Sequence, residues 1–354
     1  MTAVKLLGSR YEIVGHLGDG GMQHVHRAMD HLKGIEVAVK TPQAGQRLKK
    51  FANSARISAL INHHNVAKTL DYFEEDGVPY LAEELVEGGT LEEQCLSVAG
   101  FVDPHTGARL FRMLAKGLAA SHHAGVVHRD LKPSNILVNG GYNLTEVKIT
   151  DFGIATLTEE LFEREAERGD ITKTTSGTVK GALPYMAPEM IFRKKGDYIG
   201  READIWSLGA MMFHALTGVL PYEDGYDAAV NVKTGNRAQW PSFMNTHIQF
   251  KDLALSLQAL VESCLQNDKT KRPTADALVK ACNDLVYFSG RWVVGKVHNM
   301  PYATLGFIYD ADGNKAFFHV DSCYGVKAPI VGANVVYSVS DGNPHPRAFP
   351  LVVC

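Results

Sequence analysis

Short motifs follow one another in a fixed order along this chain of 354 residues, and that order limits the folds open to it. The segment HRDLKPSN at residues 128–135 is followed by DFG at residues 151–153. Two motifs precede this pair and three follow it. They are LGDGG at 17–21, VAVK at 37–40, APE at 187–189, DIWSLG at 204–209 and KRP at 271–273. Each motif alone is weak evidence, but the ordered series at compatible spacing is strong evidence for one architecture.

The composition is that of an ordinary globular protein, with 45% hydrophobic and 21% charged residues, and the length suits two or three domains. A formal net charge of -3 predicts no general attraction to nucleic acid or membrane. The five cysteines lie far apart without a CxxC pair, which argues against a disulfide framework or zinc site and favours a reducing compartment. The start, MTAVKLLGSR, lacks the apolar run of a signal peptide, and no stretch approaches the roughly 18 apolar residues of a membrane span. We therefore expect a soluble cytoplasmic protein.

The hydrophobic pattern changes twice along the chain. Residues 11–40 alternate apolar and polar side chains around a glycine cluster and predict strands, whereas residues 46–61 have helical spacing. Strands are expected again at 66–74 and 79–85, and residues 104–287 are mostly helical. Five more strands are predicted at 291–298, 302–310, 314–320, 332–339 and 347–353. The pattern predicts an α+β fold in which a β-rich lobe precedes a helical lobe and a small C-terminal β module follows.

Taken together, the motifs resemble those of the eukaryotic-like serine/threonine protein kinase domain over residues 11–287. The resemblance implies the bilobal protein kinase fold and transfer of the γ-phosphoryl group of ATP, with Mg²⁺, to protein hydroxyls. DLKPSN favours serine and threonine over tyrosine as acceptors, so the implied partners are protein substrates with such hydroxyls. Residues 288–354 then form a second domain.

The resemblance assigns catalytic roles to four residues of the two central motifs and to one lysine. Asp130 would accept or orient the proton of the attacking hydroxyl, and Lys132 would lie near the transferred phosphoryl group. Asn135 and Asp151 would supply oxygen ligands of the kind that Mg²⁺ prefers. Lys40, the strand lysine of VAVK, would contact the nucleotide phosphates.

The nucleotide would be bound by residues from the first strands and from the segment after HRDLKPSN. Glycine has no Cβ, so Gly18 and Gly20 would let backbone N–H groups approach phosphates. An ordinary hairpin turn is the alternative for these glycines, but Lys40 at a suitable distance favours phosphate binding. The remaining expected nucleotide contacts are Leu17, Val25, Ala38, Glu83, Glu84 and Leu137, of which Val25, Ala38 and Leu137 would enclose the adenine. Asp204, Glu189 and Arg272 are expected to have structural roles.

One charge that the family normally carries is missing. Ser54 stands where a helix glutamate would pair with Lys40, and no Asp or Glu occurs between Glu36 and Asp71. An unpaired, partly buried lysine is costly and tends to lose its proton. Glu83 falls at the back of the nucleotide pocket, where a carboxylate is poorly solvated unless it is paired. We expect Glu83 to replace the missing partner of Lys40; alternatively, Glu83 points to water and Lys40 pairs with Asp151 in an inactive arrangement.

Two smaller departures bear on activity. Gln23 stands where a third loop glycine is common, and we expect only a modest perturbation from it. Ala182 stands where a threonine usually contacts the catalytic aspartate and Lys132, so the orientation of Asp130 is expected to weaken. An ATP-binding pseudokinase that acts as a scaffold is therefore the alternative function. The presence of Lys40, Asp130, Asn135 and Asp151 favours the active enzyme.

The segment between DFG and APE is long. Residues 157–170 carry many glutamates at helical spacing and are expected to form a solvated, charged helix face. Residues 171–178, ITKTTSGT, offer several hydroxyls, and Arg129 is the expected receiver for a phosphate there. Autophosphorylation in residues 171–178 is therefore predicted, because an added phosphate would form charge-assisted hydrogen bonds and order the segment.

Residues 288–354 resemble a cold-shock-like OB barrel, in which exposed aromatic side chains stack nucleic-acid bases. Phe307, Phe317 and His319 match that pattern, whereas Asn299, Met300 and Leu305 depart from it. The module has five Lys or Arg residues against four Asp, which is little positive charge for phosphate binding. The alternatives are a barrel with its aromatic residues in the core, used for protein contact or regulation of the kinase, and a barrel that binds single-stranded nucleic acid.

Overall fold

The computed structural model of the protein describes residues 6–19, 23–43, 48–152, 181–194 and 197–354. Gly20 and the segments 157–170 and 171–178 lie outside these residues, as does the side chain of Ser54. The described chain forms a β-rich lobe, a helical lobe and a β-barrel, in that order. The α+β architecture predicted from the hydrophobic pattern is therefore present.

The first lobe is an antiparallel sheet with the strand order β1-β2-β3-β5-β4. Successive side chains of a strand point to opposite faces. In β3, Val37 and Val39 therefore fill a small core on one face, and Lys40 lies on the other face, which helix α1 covers with Phe51 and Ala55. The elements are β1 (Tyr11–Asp19), β2 (Gln23–Asp30), β3 (Ile35–Pro42), α1 (Leu48–Ser58), β4 (Thr69–Glu75) and β5 (Val78–Glu84).

The second lobe is built around two long helices, α3 (Pro104–His123) and α5 (Glu202–Thr217). Helix α3 begins after Asp103, whose carboxylate accepts hydrogen bonds from the backbone N–H groups of the first helical turn. Helix α5 is buried over almost its whole length. The other helices are α2 (Ser97–Ala99), α4 (Pro188–Ile191), α6 (Gly225–Thr234), α7 (Phe243–Thr246), α8 (Lys251–Cys264) and α9 (Ala275–Asn283). None of the helices in the described ranges is both long enough and apolar enough to cross a bilayer.

A small antiparallel sheet connects the two central motifs. It has the order β6-β7-β8, formed by β6 (Gly89–Thr90), β7 (Ile136–Asn139) and β8 (Glu146–Ile149). Strand β7 begins directly after Asn135, and β8 ends directly before Thr150. The hairpin of β7 and β8 therefore fixes the distance between HRDLKPSN and DFG.

The last part of the chain is a β-barrel. Its strands run in the order β11-β10-β9-β13-β14, and a parallel contact between β11 and β14 closes it. Alternating residues such as Val297, Ile308 and Phe318 fill its core. The strands are β9 (Arg291–Tyr302), β10 (Leu305–Asp310), β11 (Lys315–His319), β13 (Asn334–Ser340) and β14 (Arg347–Val353), with a short β12 (Cys323–Tyr324) beside β14.

The five predicted strands of this module are confirmed, with one difference in their boundaries. Strand β9 extends to Tyr302, so residues 302–310 do not form one strand. The first part of β9 pairs with β13 and its last part pairs with β10, and this double pairing lengthens the strand. Pairing with two partners is a tertiary effect, which a local alternation pattern does not contain.

The barrel packs directly on the helical lobe through aromatic side chains. The Tyr324 ring lies 5.2 Å from the Phe243 ring and 5.0 Å from the Phe250 ring, measured between centroids. Trp292 and Tyr324 of the barrel belong to the same cluster of buried residues as the core of the helical lobe. A Cβ on Gly325 would lie 2.3 Å from the Phe101 ring, so this close approach requires glycine. The two parts therefore share one core.

Tyr324→Ala should lower the free energy of unfolding by about 3–5 kcal/mol, because it removes a fully buried ring from this shared core. Chemical denaturation followed by circular dichroism and tryptophan fluorescence would measure the change. The matched control is Tyr302→Ala, an exposed tyrosine of the same barrel, with an expected effect below about 0.5 kcal/mol. Separate unfolding of the barrel, with the helical lobe unaffected, would contradict the shared core.

Candidate active site

The side chains of Lys40, Glu83 and Asp151 meet in one buried cluster. Nζ of Lys40 lies 2.5 Å from Oε2 of Glu83 and 2.7 Å from Oδ1 of Asp151. The same ammonium group donates a hydrogen bond to Oγ1 of Thr150 at 2.9 Å. Lys40 is 5% exposed and Glu83 is 4% exposed. One positive and two negative groups are thus held together away from water.

The sheet register brings Glu83 to Lys40. Strands β3 and β5 are antiparallel neighbours, with Lys40 opposite Leu81 and Ala38 opposite Glu83. Lys40 and Glu83 are therefore diagonal neighbours on the same face of the sheet, which is within reach of long side chains. The ion pair depends on the pairing of two strands, and helix α1 contributes no charge to it.

The ion pair between Lys40 and Glu83 that the sequence predicts is confirmed. The alternative, in which Glu83 points to water, is wrong because the carboxylate is buried. The second half of that alternative is nevertheless present, since Lys40 also contacts Asp151. The two expected arrangements exist together rather than excluding each other.

The charges of the cluster depend on one another. Burial by itself lowers the pKa of Lys40, but the negative charges of Asp151 and Glu83 outweigh it and raise this pKa above its usual range. Burial raises the pKa of Glu83, and the nearby Asp151 charge adds to the rise while Lys40 opposes it. Burial also acts to raise the pKa of Asp151, yet the charge and hydrogen bonds of Lys40 leave it lowered. Lys40 and Asp151 therefore form the firmly charged pair.

Gln23 has a larger role in the site than the sequence predicted. Its side chain is 4% exposed, and its Nε2 donates a hydrogen bond of 2.7 Å to Oδ1 of Asp151. Gln23 lies two residues before Val25 in β2, so the strand period places both side chains on the face that carries Lys40. That period is a signal in the sequence, but the contact with Asp151 is between residues 128 positions apart.

The backbone of HRDLKPSN is held by a buried carboxylate. Asp204 accepts hydrogen bonds from the backbone N–H of His128 at 2.8 Å and of Arg129 at 2.7 Å. Arg129 has a left-handed φ of 64°, a conformation that costs energy in a residue other than glycine. The two hydrogen bonds stabilise this strained turn, which agrees with the structural role expected for Asp204.

The turn presents Asp130 with its neighbours oriented around it. Asn135 donates hydrogen bonds from Nδ2 to the Asp130 backbone carbonyl at 2.7 Å and to Oδ2 at 3.1 Å. Nζ of Lys132 lies 3.1 Å from the same carboxylate. Asp130 is only 7% exposed, so these contacts fix its direction. A carboxylate held in this way is suited to accept a proton from an adjacent hydroxyl.

Asn135 and Asp151 are brought together by the start and end of the β7–β8 hairpin. The backbone N–H of Thr150 donates to the carbonyl of Asn135 at 3.0 Å. Because the amide nitrogen of Asn135 binds Asp130, its side-chain oxygen faces away from that carboxylate. An amide oxygen and a carboxylate at neighbouring positions are the ligand types that Mg²⁺ selects. The residues present therefore fit a magnesium ion.

A strand lysine, an oriented aspartate and two candidate oxygen ligands lie together in this site. Comparison of the sequence with models of known protein families agrees with this arrangement. The family model of the protein kinase domain matches residues 11–282. The chain belongs to the protein kinase family. The kinase fold also matches the crystal structure of Rad53 residues 1–466 in complex with AMP-PNP, with a TM-score of 0.58 and 24% identity, covering 77% of this chain and 64% of that one.

Several curated relatives of this kinase are bacterial. The serine/threonine-protein kinase PrkC of Bacillus subtilis is 31% identical over 247 residues, which are 68% of this chain and 35% of PrkC. The serine/threonine-protein kinase PknL of Mycobacterium bovis is 33% identical over 232 residues, 64% of this chain and 53% of PknL. This chain thus spans about a third to a half of the length of these two relatives.

Five other residues expected to hold the nucleotide of this kinase lie on strands β1, β2, β3 and β7. Val25 lies opposite Lys40 in the sheet, so it shares the face of the charged cluster. Gly18 lies opposite Val25, and Leu17 beside it is 48% exposed. Their contacts with a nucleotide stay predictions. The other expected adenine residues are Ala38 on β3 and Leu137 on β7.

Glu84 is engaged differently from Glu83. Its carboxylate lies 2.8 Å from Nζ of Lys148, a buried lysine of β8. The Glu84 side chain thus ties the first lobe of the kinase to the β7–β8 hairpin. The contact of Glu84 with a nucleotide stays a prediction.

Two further kinase residues have the packing that the sequence suggested. Arg272 forms a bidentate pair with Glu189, with distances of 2.6 and 2.9 Å, and so ties the helical lobe together. Ala182 is buried and has no polar group to donate to Asp130. Asn135 and Lys132 contact Asp130, and the weaker orientation of Asp130 expected from Ala182 stays a prediction.

The charge balance of the cluster predicts that two substitutions lower the free energy of unfolding of the nucleotide-free kinase by different amounts. Lys40→Met leaves two buried carboxylates without a cation and should lower the free energy of unfolding by about 3 kcal/mol. Glu83→Gln leaves one cation with one carboxylate and should change it by less than about 1 kcal/mol. Urea denaturation measures both values. Equal stability of Lys40→Met and the wild type would show that the two carboxylates are not charged together.

Proposed function

We propose that the protein is an ATP- and Mg²⁺-dependent serine/threonine protein kinase, with a kinase domain at residues 11–287 and a barrel domain at 288–354 that packs on its helical lobe. The observation that carries the proposal is the oriented Asp130 carboxylate, held by Asn135 and Lys132 beside the Lys40 cluster. The bacterial relatives, which are named serine/threonine-protein kinases, support the same activity.

Each residue has a task in phosphoryl transfer, which depends mainly on positioning and charge neutralisation. Asp130 accepts the proton of the acceptor hydroxyl, and Lys132 stabilises negative charge on the transferred group. Lys40 binds the nucleotide phosphates. Asn135 and Asp151 would hold Mg²⁺, which neutralises phosphate charge when it is bound.

Glu83 acquires its main role when the nucleotide is present. In the structure Lys40 has two acidic partners, Glu83 and Asp151. Asp151 would share its carboxylate charge between Lys40 and a bound metal ion. Glu83 is not a candidate metal ligand, so it remains with Lys40 and keeps the ammonium group charged and directed. This explains why the acid is retained although the helix position has lost it.

The alternative is a pseudokinase that binds ATP and acts as a scaffold. The buried, doubly contacted Asp130 argues against it, because such a carboxylate is costly to keep without a use. Autophosphorylation within residues 171–178 and a cytoplasmic location belong to the proposed function as predictions.

Asp130→Ala should abolish phosphoryl transfer from ATP to a generic serine- and threonine-containing protein while leaving ATP affinity within about twofold of the wild type. Glu83→Gln should instead weaken Mg²⁺–ATP binding by about tenfold, because Lys40 then lacks an acidic partner that is not also a proposed metal ligand. Radiolabelled phosphate transfer and calorimetric titration measure the two effects, and mass spectrometry of the same reaction examines residues 171–178. Absence of transfer by the wild-type protein would favour the pseudokinase.

A second function concerns the barrel. We infer that it is a cold-shock-like OB barrel that binds single-stranded nucleic acid. Phe307 and Phe317 lie on its outer face, because the neighbouring Ile308 and Phe318 are the buried ones. The alternative that places Phe307 and Phe317 in the core is therefore wrong. Both rings are half-buried, and aromatic rings on the outer face of such a barrel are platforms on which bases stack.

Cations lie directly over these rings. Nζ of Lys315 is 3.9 Å from the Phe307 ring centroid, and the Arg347 guanidinium carbon is 4.7 Å from the Phe317 centroid. A base that stacks on either ring face has to displace the cation from it. The displaced cation would then lie near the phosphate of that nucleotide, which offsets the low overall charge of the module. A protein partner is the remaining alternative for this face.

Fluorescence anisotropy with short RNA and DNA oligomers at low salt tests this function. Phe307→Ala should weaken binding by about tenfold, because loss of one stacking ring costs about 1–3 kcal/mol. Val331→Ala, an exposed aliphatic residue of the same module, is the control and should leave binding unchanged. Absence of binding by the wild-type protein to either oligomer would favour the protein partner.

A further inference from the structure

The hairpin of β7 and β8 has its two ends at the residues proposed to hold Mg²⁺. Asn135 precedes β7, and Thr150 and Asp151 follow β8. The ends are joined by the hydrogen bond from the Thr150 N–H to the Asn135 carbonyl. Asp151 has a left-handed φ of 65°, which persists in a residue other than glycine only when surrounding contacts enforce it. The position of Asp151 therefore depends on how firmly the hairpin is held.

The turn at the opposite end of the hairpin is bound by the barrel. The Asn143 side chain donates from Nδ2 to the carbonyl of Trp292 at 3.0 Å and accepts from the N–H of Trp292 at 2.8 Å. Both polar groups of one backbone residue of β9 are thus satisfied by one side-chain amide. Such a two-bond contact fixes both the distance and the direction between hairpin and barrel.

Further contacts surround this pair. The Tyr142 ring lies 5.2 Å from the Trp292 ring, and its hydroxyl donates to the carbonyl of Phe101 at 2.6 Å. The guanidinium group of Arg109 donates to the carbonyl of Leu144 at 3.1 Å. Leu144 has a left-handed φ of 41°, so the turn is strained and needs these contacts to keep its shape.

The barrel is a firm support for the turn because it shares the core of the helical lobe. Trp292 and Tyr324 are both buried in that core. The barrel end of the contact is therefore as rigid as the lobe itself. The hairpin is held at one end near Asp130 and at the other end by Trp292.

We propose that Asn143 and Trp292 are positioning residues through which the barrel holds Asn135 and Asp151 in the arrangement that binds Mg²⁺ and nucleotide. The proposal rests on the proposed function, because it takes Asn135 and Asp151 as the metal ligands. A short antiparallel hairpin transmits a change at its turn to its ends, since its strands are cross-linked by backbone hydrogen bonds. Loss of the Asn143 contact loosens both ligands together.

The test compares Asn143→Ala with Phe349→Ala in the full chain. Phe349 packs on Phe250 of the helical lobe, with ring centroids 5.4 Å apart, so its loss weakens the same interface without touching the hairpin turn. The first measurement is calorimetric binding of a non-hydrolysable ATP analogue at several Mg²⁺ concentrations. The second is amide hydrogen exchange of residues 128–152 in the metal-free protein.

Asn143→Ala should raise the Mg²⁺ concentration needed for half-maximal nucleotide binding by about three- to tenfold. It should also speed exchange at both ends of the hairpin. Phe349→Ala should leave the Mg²⁺ concentration needed for half-maximal binding within about twofold of the wild type, even if its melting temperature falls as much as that of Asn143→Ala. If Asn143→Ala does not fold, Asn143→Asp replaces it: the carboxylate still accepts from the Trp292 N–H, but it loses the donor and repels the Trp292 carbonyl oxygen.

Equal Mg²⁺ requirements in both variants, or unchanged exchange in residues 128–152, would overturn the proposal and reduce Asn143 to a structural role. The readouts are binding and exchange rather than turnover. A wild-type protein that binds Mg²⁺ and nucleotide without transferring phosphate would contradict the proposed kinase activity alone.

Discussion

A buried ammonium group stays charged only when negative groups lie close enough to offset the loss of water. Lys40 meets this condition through Glu83 and Asp151, and the rest of the site is arranged around the resulting cluster. Strand β5 supplies Glu83, the β7–β8 hairpin supplies Asp151, and β2 adds the amide of Gln23. The first lobe and the catalytic motifs thus meet at a cluster whose charges must balance.

Much of the architecture followed from local patterns. Alternation predicted the five barrel strands, and helical spacing predicted α1 and the mostly helical stretch of residues 104–287. The ion pair between Lys40 and Glu83 was also predictable, because a lysine without an acid and a carboxylate in an apolar position are each unfavourable alone. The family resemblance placed both residues at the nucleotide pocket, so a chemical argument was sufficient to pair them.

Other features depend on contacts between residues far apart in sequence, which local patterns do not encode. Gln23 was expected to cause a small perturbation, but its amide binds Asp151. Trp292 lies in a predicted strand and Tyr324 lies between two predicted strands of a module expected to form a second domain, whereas both complete the core of the helical lobe. Asn143 lies in a turn whose composition suggests solvent, and only the position of β9 shows that its side chain serves as a backbone partner.

The origin of Glu83 in the sheet has a consequence for control of the enzyme. In a kinase that carries this acid on a mobile helix, an outward movement of the helix separates the acid from the lysine and inactivates the kinase. Here the two charges are fixed by hydrogen-bonded strands, and displacing α1 leaves them together. Effectors that displace α1 are therefore expected to have little effect on the position of Lys40. An inhibitor that enters the back of the proposed adenine pocket would meet the Glu83 carboxylate instead of an apolar side chain.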